Sequence, residues 1–181
     1  MKPQQSQIQN RLFFPGLLIL ALLGGCTGVP DGVKVVSGFE LDRYLGTWYE
    51  IARLDHSFER GLSNVTAEYS LREDGGVHVI NRGLKEESGE MAEAIGKAYF
   101  VGASDVGRLK VSFFGPFYGG YNIIELDTSN YQYSLVAGPD RDYLWILSRT
   151  PKMDPDILRS LVEKARGLGF ATDDLIFVTH D

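Results

Sequence analysis

The chain has 181 residues, 44% of them hydrophobic and 23% charged, the make-up of an ordinary globular protein of one domain. A formal net charge of −6, with no run of basic residues, excludes a nucleic-acid-binding surface. Cys26 is the one cysteine, so an intramolecular disulfide is excluded too.

Residues 1–25 read as an export signal. Lys2 and Arg11 supply positive charge, Leu12 to Leu23 is almost wholly apolar, and the small residues Gly24 and Gly25 follow. The apolar stretch is short for a membrane span. Leu23-Gly24-Gly25-Cys26 resembles a bacterial lipobox, in which the signal is cut before the cysteine and the new N-terminus is acylated. This resemblance implies Cys26 as the lipidation site and a lasting membrane attachment, at ~0.8 kcal/mol per buried CH₂ of the acyl chains. Residue 27 is Thr and not Asp, which implies the outer membrane. Residues 26–36, including Gly28-Val-Pro-Asp-Gly32, are then a tether, and 37–181 the folded domain. Loss of Lys2 and Arg11 leaves 16 basic against 24 acidic residues, a net charge of about −8.

The body alternates apolar and polar residues in short runs separated by turn residues, the pattern of half-buried strands. The runs are Trp48–Leu54, Asn64–Leu71, Val77–Gly83, Gly96–Gly102, Leu109–Phe114, Tyr121–Leu126, Tyr131–Ala137 and Tyr143–Ser148. Asp74-Gly75 marks a hairpin, Lys85–Glu90 a polar loop, Gly115–Gly120 a glycine and aromatic loop, and Gly138-Pro139-Asp140 another turn. Eight short strands with short connections predict an all-β fold: an up-and-down antiparallel barrel, closed because closure removes the edges. Eight strands leave room inside for one small ligand. One helix is predicted after Pro151 and Pro155, capped by Asp154. Its Ile157, Leu158, Leu161, Val162, Ala165 and Leu168 form a single stripe that packs on the outside of the barrel. Leu175–Val178 reads as a last short strand.

Gly46-Thr47-Trp48-Tyr49-Glu50, after Phe39 and Tyr44, resembles the Gly-x-Trp motif of the lipocalin family. Asp142-Tyr143 is similar to the second lipocalin motif, with Arg141 where Thr is usual, and Ser148-Arg149-Thr150 is similar to the third. Tyr44–Arg53, Val111–Tyr121 and Gly138–Arg149 further resemble the bacterial outer-membrane lipocalin (Blc) family. The resemblance spans roughly residues 37 to 179. It implies that Gly46, Trp48 and Arg149 are structural: the tryptophan plugs the closed end and the arginine lies over its ring.

The same resemblance fixes the phase of the inward residues. Val65, Ala67 and Tyr69 would face in from the second strand, and Val77, Val79 and Asn81 from the third. Ala98 follows from the fourth, Val111 and Phe113 from the fifth, and Tyr121 and Ile123 from the sixth. Tyr143, Trp145 and Leu147 come from the eighth. A slip of one residue would turn a whole strand over. The set is aliphatic and aromatic with a few polar tips, which suits an acyl chain with a polar head. The resemblance implies fatty acids such as palmitate, phospholipids or lysophospholipids, stored or transported for membrane maintenance. A tetrapyrrole or retinoid-like ligand, a lipid-processing enzyme on the same barrel, and a mainly structural envelope protein stay open. Phe117 and Tyr118 read either as caps of a tight loop or as a contact to a second copy in a homodimer.

Other chemistry has little to stand on. His56, His78 and His180 are widely spaced and no cysteine ligand is at hand, so neither a metal nor a cofactor is expected. Arg53-Leu-Asp-His-Ser-Phe-Glu-Arg60 reads as an entrance loop and not as an acid–base site. No phosphate-binding glycine loop or nucleophile elbow is present, and the chain is read as a non-enzyme.

Overall fold

The computed structural model describes residues 27–181; the expected export signal, residues 1–25, and Cys26 lie outside the described residues. A short helix α1 (Leu41–Tyr44) leads into eight strands: β1 (Gly46–Arg53), β2 (Leu62–Leu71), β3 (Val77–Lys85), β4 (Met91–Phe100), β5 (Arg108–Phe114), β6 (Phe117–Leu126), β7 (Tyr133–Ala137) and β8 (Leu144–Ser148). Helix α2 (Pro155–Gly167) and a two-residue strand β9 (Ile176–Phe177) complete the chain. Each strand pairs antiparallel with the next, and β1 pairs with both β2 and β8, which closes the ring. Strand β9 adds to the end of β1, with Ala52 opposite Phe177.

Helix α1 is absent from the sequence expectation, several strand ends shift by about two residues, and three segments differ more widely from it. Strand β4 begins at Met91, five residues before Gly96, because Met91–Ile95 pair in register with Leu84–Ile80 of β3. The polar loop is confined to the residues between Lys85 and Met91. The segment Gly115–Gly120 is mostly not a loop: Phe114 pairs with Phe117 across a two-residue turn, and Gly119 and Gly120 face Val111 and Lys110 in the β5–β6 ladder. Residues 27–36 do not hang free as a tether. Val33 is buried in the outer core, and the Val36 N–H donates to the Ile123 carbonyl at 2.9 Å.

The barrel wall separates two cores. The outer one is the seam under α2, where Leu161 and Ala165 meet Ile51, Ala52, Leu135, Ala137 and Ile146. Pro155 opens α2 and the Asp154 carboxylate accepts from the N–H groups of Asp156 and Ile157 at 2.8 and 3.3 Å, so the helix starts with its free donors satisfied. The inner core gathers Phe39, Tyr44, Trp48, Leu126 and Val136 at one end of the barrel. A bulge in β1 between Glu50 and Ala52 shifts its pairing with β8. Trp48 and Glu50 are inside, Ile51 and Ala52 both join the outer core, and Arg53 is buried again at the open end.

Candidate functional site

The closed end is built around Trp48, which is fully buried. Its indole N–H donates to the Tyr44 carbonyl at 2.8 Å. The Arg149 guanidinium lies 4.0 Å from the Trp48 ring centroid. It donates to the carbonyls of Thr47, Arg43 and Tyr131 at 2.9, 2.7 and 3.2 Å. Gly46 sits beneath it with φ of +93°, and a Cβ there would stand 3.5 Å from Arg149 Nη1. One side chain thus ties α1, β1 and the β6–β7 connection to the end of β8. Above this floor, the Tyr121 hydroxyl bonds the hydroxyls of Tyr44 and Tyr69 at 2.8 and 2.9 Å. Burial pushes the Tyr44 phenol up to about 12 and those of Tyr69 and Tyr121 well above their ordinary value, so all three stay neutral.

Over this floor lies an internal cavity lined from every strand of the barrel but β7. Twelve of the fourteen residues expected to face inward bound it, among them Val65, Ala67 and Tyr69 of β2, Val79 and Asn81 of β3, and Ala98 of β4. Val111 and Phe113 of β5, Tyr121 of β6 and Trp145 of β8 complete them, and Val77 and Leu147 join as expected. Ile123 and Tyr143 do not line it. Ile123 is fully buried in the inner core, low on β6 beside Gly107 and Val36, so its side chain is floor packing. Tyr143 precedes β8 and stacks on Phe58 and Trp145, with ring centroids 6.4 and 6.2 Å away, outside the cavity at the rim.

The mouth holds what the sequence reading left out. Glu50, Phe58 and Glu59 also bound the cavity, and Glu50, Arg53, His56 and Glu59 are all buried. Arg53 bonds Glu50 Oε1 at 2.7 Å and donates to the Glu59 carbonyl at 2.8 Å. Glu59 Oε2 accepts from the Trp145 indole at 3.1 Å and lies 3.0 Å from His56 Nε2, off the line of a good hydrogen bond. Burial pushes the Glu50 carboxyl well up, and facing Glu59 adds to that against the pull of Arg53. Burial would raise Glu59 as well, but His56 and Trp145 outweigh it and hold that carboxyl low. Glu50 could have been found: it stands two residues after Trp48 and so shares its face in a strand. The buried loop residues carry no such signal. Deeper in, Asn81 Oδ1 is shielded from solvent and has no partner. Among the described residues no group of three His, Cys, Asp or Glu side chains is placed to hold a metal ion.

A closed eight-stranded barrel with an internal cavity, a capped Trp and one outer helix defines a lipocalin. The family model of the lipocalin-like domain matches residues 39–180, and the chain belongs to the lipocalin family. It is similar to the outer membrane lipoprotein Blc of Vibrio cholerae, with 60% identity over 162 residues, 90% of this chain and 95% of that protein. It is also similar to the outer membrane lipoprotein Blc of Escherichia coli K12, with 57% identity over 149 residues, 82% of this chain and 84% of that one. The fold matches the crystal structure of the cockroach allergen Per a 4 with a TM-score of 0.66 at 22% identity, over 86% of this chain and 96% of that chain.

Proposed function

We propose that the protein is a lipid carrier, anchored through acylated Cys26 to the periplasmic face of the outer membrane. It would bind fatty acids, phospholipids or lysophospholipids in the barrel and release them for membrane maintenance, with no chemical step. The observation that carries the reading is the polarity of the cavity: aliphatic and aromatic walls over most of its depth, neutral tyrosine hydroxyls at its floor, and its two carboxyl groups at the mouth. An amphiphile fits such a gradient with its tail down and its head at the mouth, where Arg53 and His56 lie beside the two carboxyl groups. A sixteen-carbon tail buried at ~0.8 kcal/mol per CH₂ gives roughly 12 kcal/mol gross. Ordering the tail and losing free translation take back much of this, which leaves a Kd in the micromolar range or somewhat tighter. The names of the Vibrio cholerae and Escherichia coli relatives support the outer-membrane placement.

The test has two arms. Mass spectrometry of an organic extract identifies the molecules that co-purify with the protein. Titration with lysophospholipid follows tryptophan emission, because Trp145 bounds the cavity and Trp48 lies in its floor. Saturable change that Trp145→Phe largely removes is the expected result. An extract free of lipid together with a flat titration would overturn the reading.

A further inference from the structure

Asn81 is out of place on the wall of the cavity. It stands in the middle of β3, and asparagine is among the residues that strands select against. The inward positions before it on the same strand are Val77 and Val79. Its partners across the ladder are Ala67 on β2 and Ala94 on β4, which have no polar side-chain atom to offer. Its Oδ1 is shielded from solvent and finds no hydrogen-bond partner. Valine at this position would bring no polar group to satisfy. A buried amide left without a partner is a cost to the empty barrel, and it marks a place where the partner comes from outside.

The depth of Asn81 decides what that partner is. Its ladder row starts at Trp48, buried in the floor, and passes through Ala67 to Asn81 and on to Ala94, which is exposed near the start of β4. Asn81 therefore lies between floor and mouth. Along β3 it precedes Lys85, the last residue of the strand at the open end, by four positions. That is about 13 Å of strand, or about 10 Å of depth at a barrel tilt of about 40°. No ionisable side chain stands on the row, so a charged group brought here would lose its water and meet no opposite charge. A neutral hydroxyl suits the place. It donates and accepts, and rotation about χ2 presents either end of the amide to the bore. The alanines on both sides leave the amide uncovered by any larger side chain on its row.

We infer that Asn81 selects acyl chains that carry a hydroxyl in their interior, part-way between the head and the terminal carbon. This inference rests on the lipid-carrier reading proposed above, with the tail down. An unsubstituted tail that slides past Asn81 strips the amide of water and makes no bond in its place. An interior hydroxyl at the same depth restores the bond, a difference of roughly tenfold in affinity. Position matters as much as chemistry. A hydroxyl on the terminal carbon would reach the floor, where the tyrosine hydroxyls already bond one another and Ser134. A hydroxyl on carbon two stays at the mouth with the head. Neither meets Asn81, so neither gains.

The experiment equilibrates the full-length protein, in detergent, with an equimolar mixture of octadecanoic acid and its derivatives hydroxylated at carbon two, six, ten or the terminal carbon. The protein is captured and extracted, and mass spectrometry counts the acids it held. Wild type, Asn81→Leu and Asn81→Ala are treated alike, so partition of the acids into detergent cancels between them. The expected result is that wild type holds roughly ten times more of the carbon-six or carbon-ten acid, relative to the unsubstituted acid, than either variant does. Both variants should bind octadecanoic acid at least as well as wild type. Circular dichroism checks that each variant is folded, and if one is not, the other decides. Ratios that do not differ between wild type and a folded variant overturn the inference, as does enrichment of the carbon-two or terminal acid instead. In those cases the acids are still bound and the lipid-carrier reading stands. Capture of no acid by any of the three proteins overturns both.

Discussion

Arg149→Ala should unfasten the closed end of the barrel. The side chain is half-buried, crosses the Trp48 ring at 4.0 Å and reaches three backbone carbonyls. A hydrogen bond from a charged donor is worth ~1.5–3 kcal/mol, and partial exposure puts these three at the low end or below it. The guanidinium–indole contact adds ~0.5–1 kcal/mol. The freed carbonyls of Arg43 and Thr47 lie in exposed surroundings and recover water, so no full desolvation penalty is left behind. The balance is a loss of about 3–4 kcal/mol. In a domain of this size that lowers Tm by about 10 °C. Urea unfolding followed by tryptophan emission and by circular dichroism gives the value directly, provided both probes report one transition. Arg149→Lys keeps a cation over the ring but not the fork that spans three carbonyls, and should recover less than half of the loss. A loss below 1 kcal/mol for Arg149→Ala, or full recovery with Lys, would refute the reasoning.

The remaining predictions concern the helix, the mouth and the floor. Asp154→Ala removes the cap that serves two N–H groups of α2 and should cost about 1 kcal/mol, read by thermal melting; Asp154→Asn should cost less. Glu50 has its folded-state pKa raised, so its contribution to stability is complete at low pH and is lost as the pH rises through the raised value. Wild type should therefore lose stability relative to Glu50→Gln, a mimic of the protonated acid, between pH 5 and pH 9; a gap that stays flat or moves the other way contradicts the burial argument. Tyr121→Phe removes the hydroxyl that bonds both Tyr44 and Tyr69 and should cost about 1–2 kcal/mol in urea unfolding. In the intact protein, tyrosinate absorbance from these three rings should not develop before about pH 12, the value to which burial lifts Tyr44.

The barrel was legible because its strands obey a period of two and its turns carry Asp-Gly and Gly-Pro-Asp. The boundaries that moved did so where that signal is weak. In Met91-Ala-Glu-Ala-Ile95 the small and acidic residues of β4 hide a strand that pairing with β3 creates. In Phe117-Tyr-Gly-Gly the glycines look like a loop, yet Gly120 is there because the Gly28 backbone presses against it. That contact is between residues about ninety positions apart and leaves no local trace. The lining residues followed once the phase was set, and the two that fell away mark the limits of phase as information. Ile123 does face inward, but the depth at which a residue stops being wall and becomes floor depends on how far the inner core rises. Tyr143 lies one residue outside β8, where alternation no longer applies. Glu50 is the opposite case, an inward position by phase that residue type alone argues against.

That exception bears on the mechanism. A carboxyl group buried beside an apolar cavity is costly unless it is paired. Here Arg53 supplies the pairing on one side, while Glu59 takes the indole N–H of Trp145. Arg53 Nε and both ring nitrogens of His56 are buried there without a hydrogen-bond partner, so the cluster keeps polar capacity, and two of its members bound the cavity. At the floor the three tyrosine hydroxyls bond one another and Ser134, which leaves them little polar capacity to offer. A tail can therefore lie against the floor without leaving a strong polar group unpaired, whereas a head group placed there would find few partners. Reversing the amphiphile would place its head among the tyrosines and its tail against the carboxyl groups, and both ends would be worse off. The direction in which the proposed ligand enters is thus set by polar groups that are satisfied at the floor and unpartnered at the mouth, more than by the shape of the barrel.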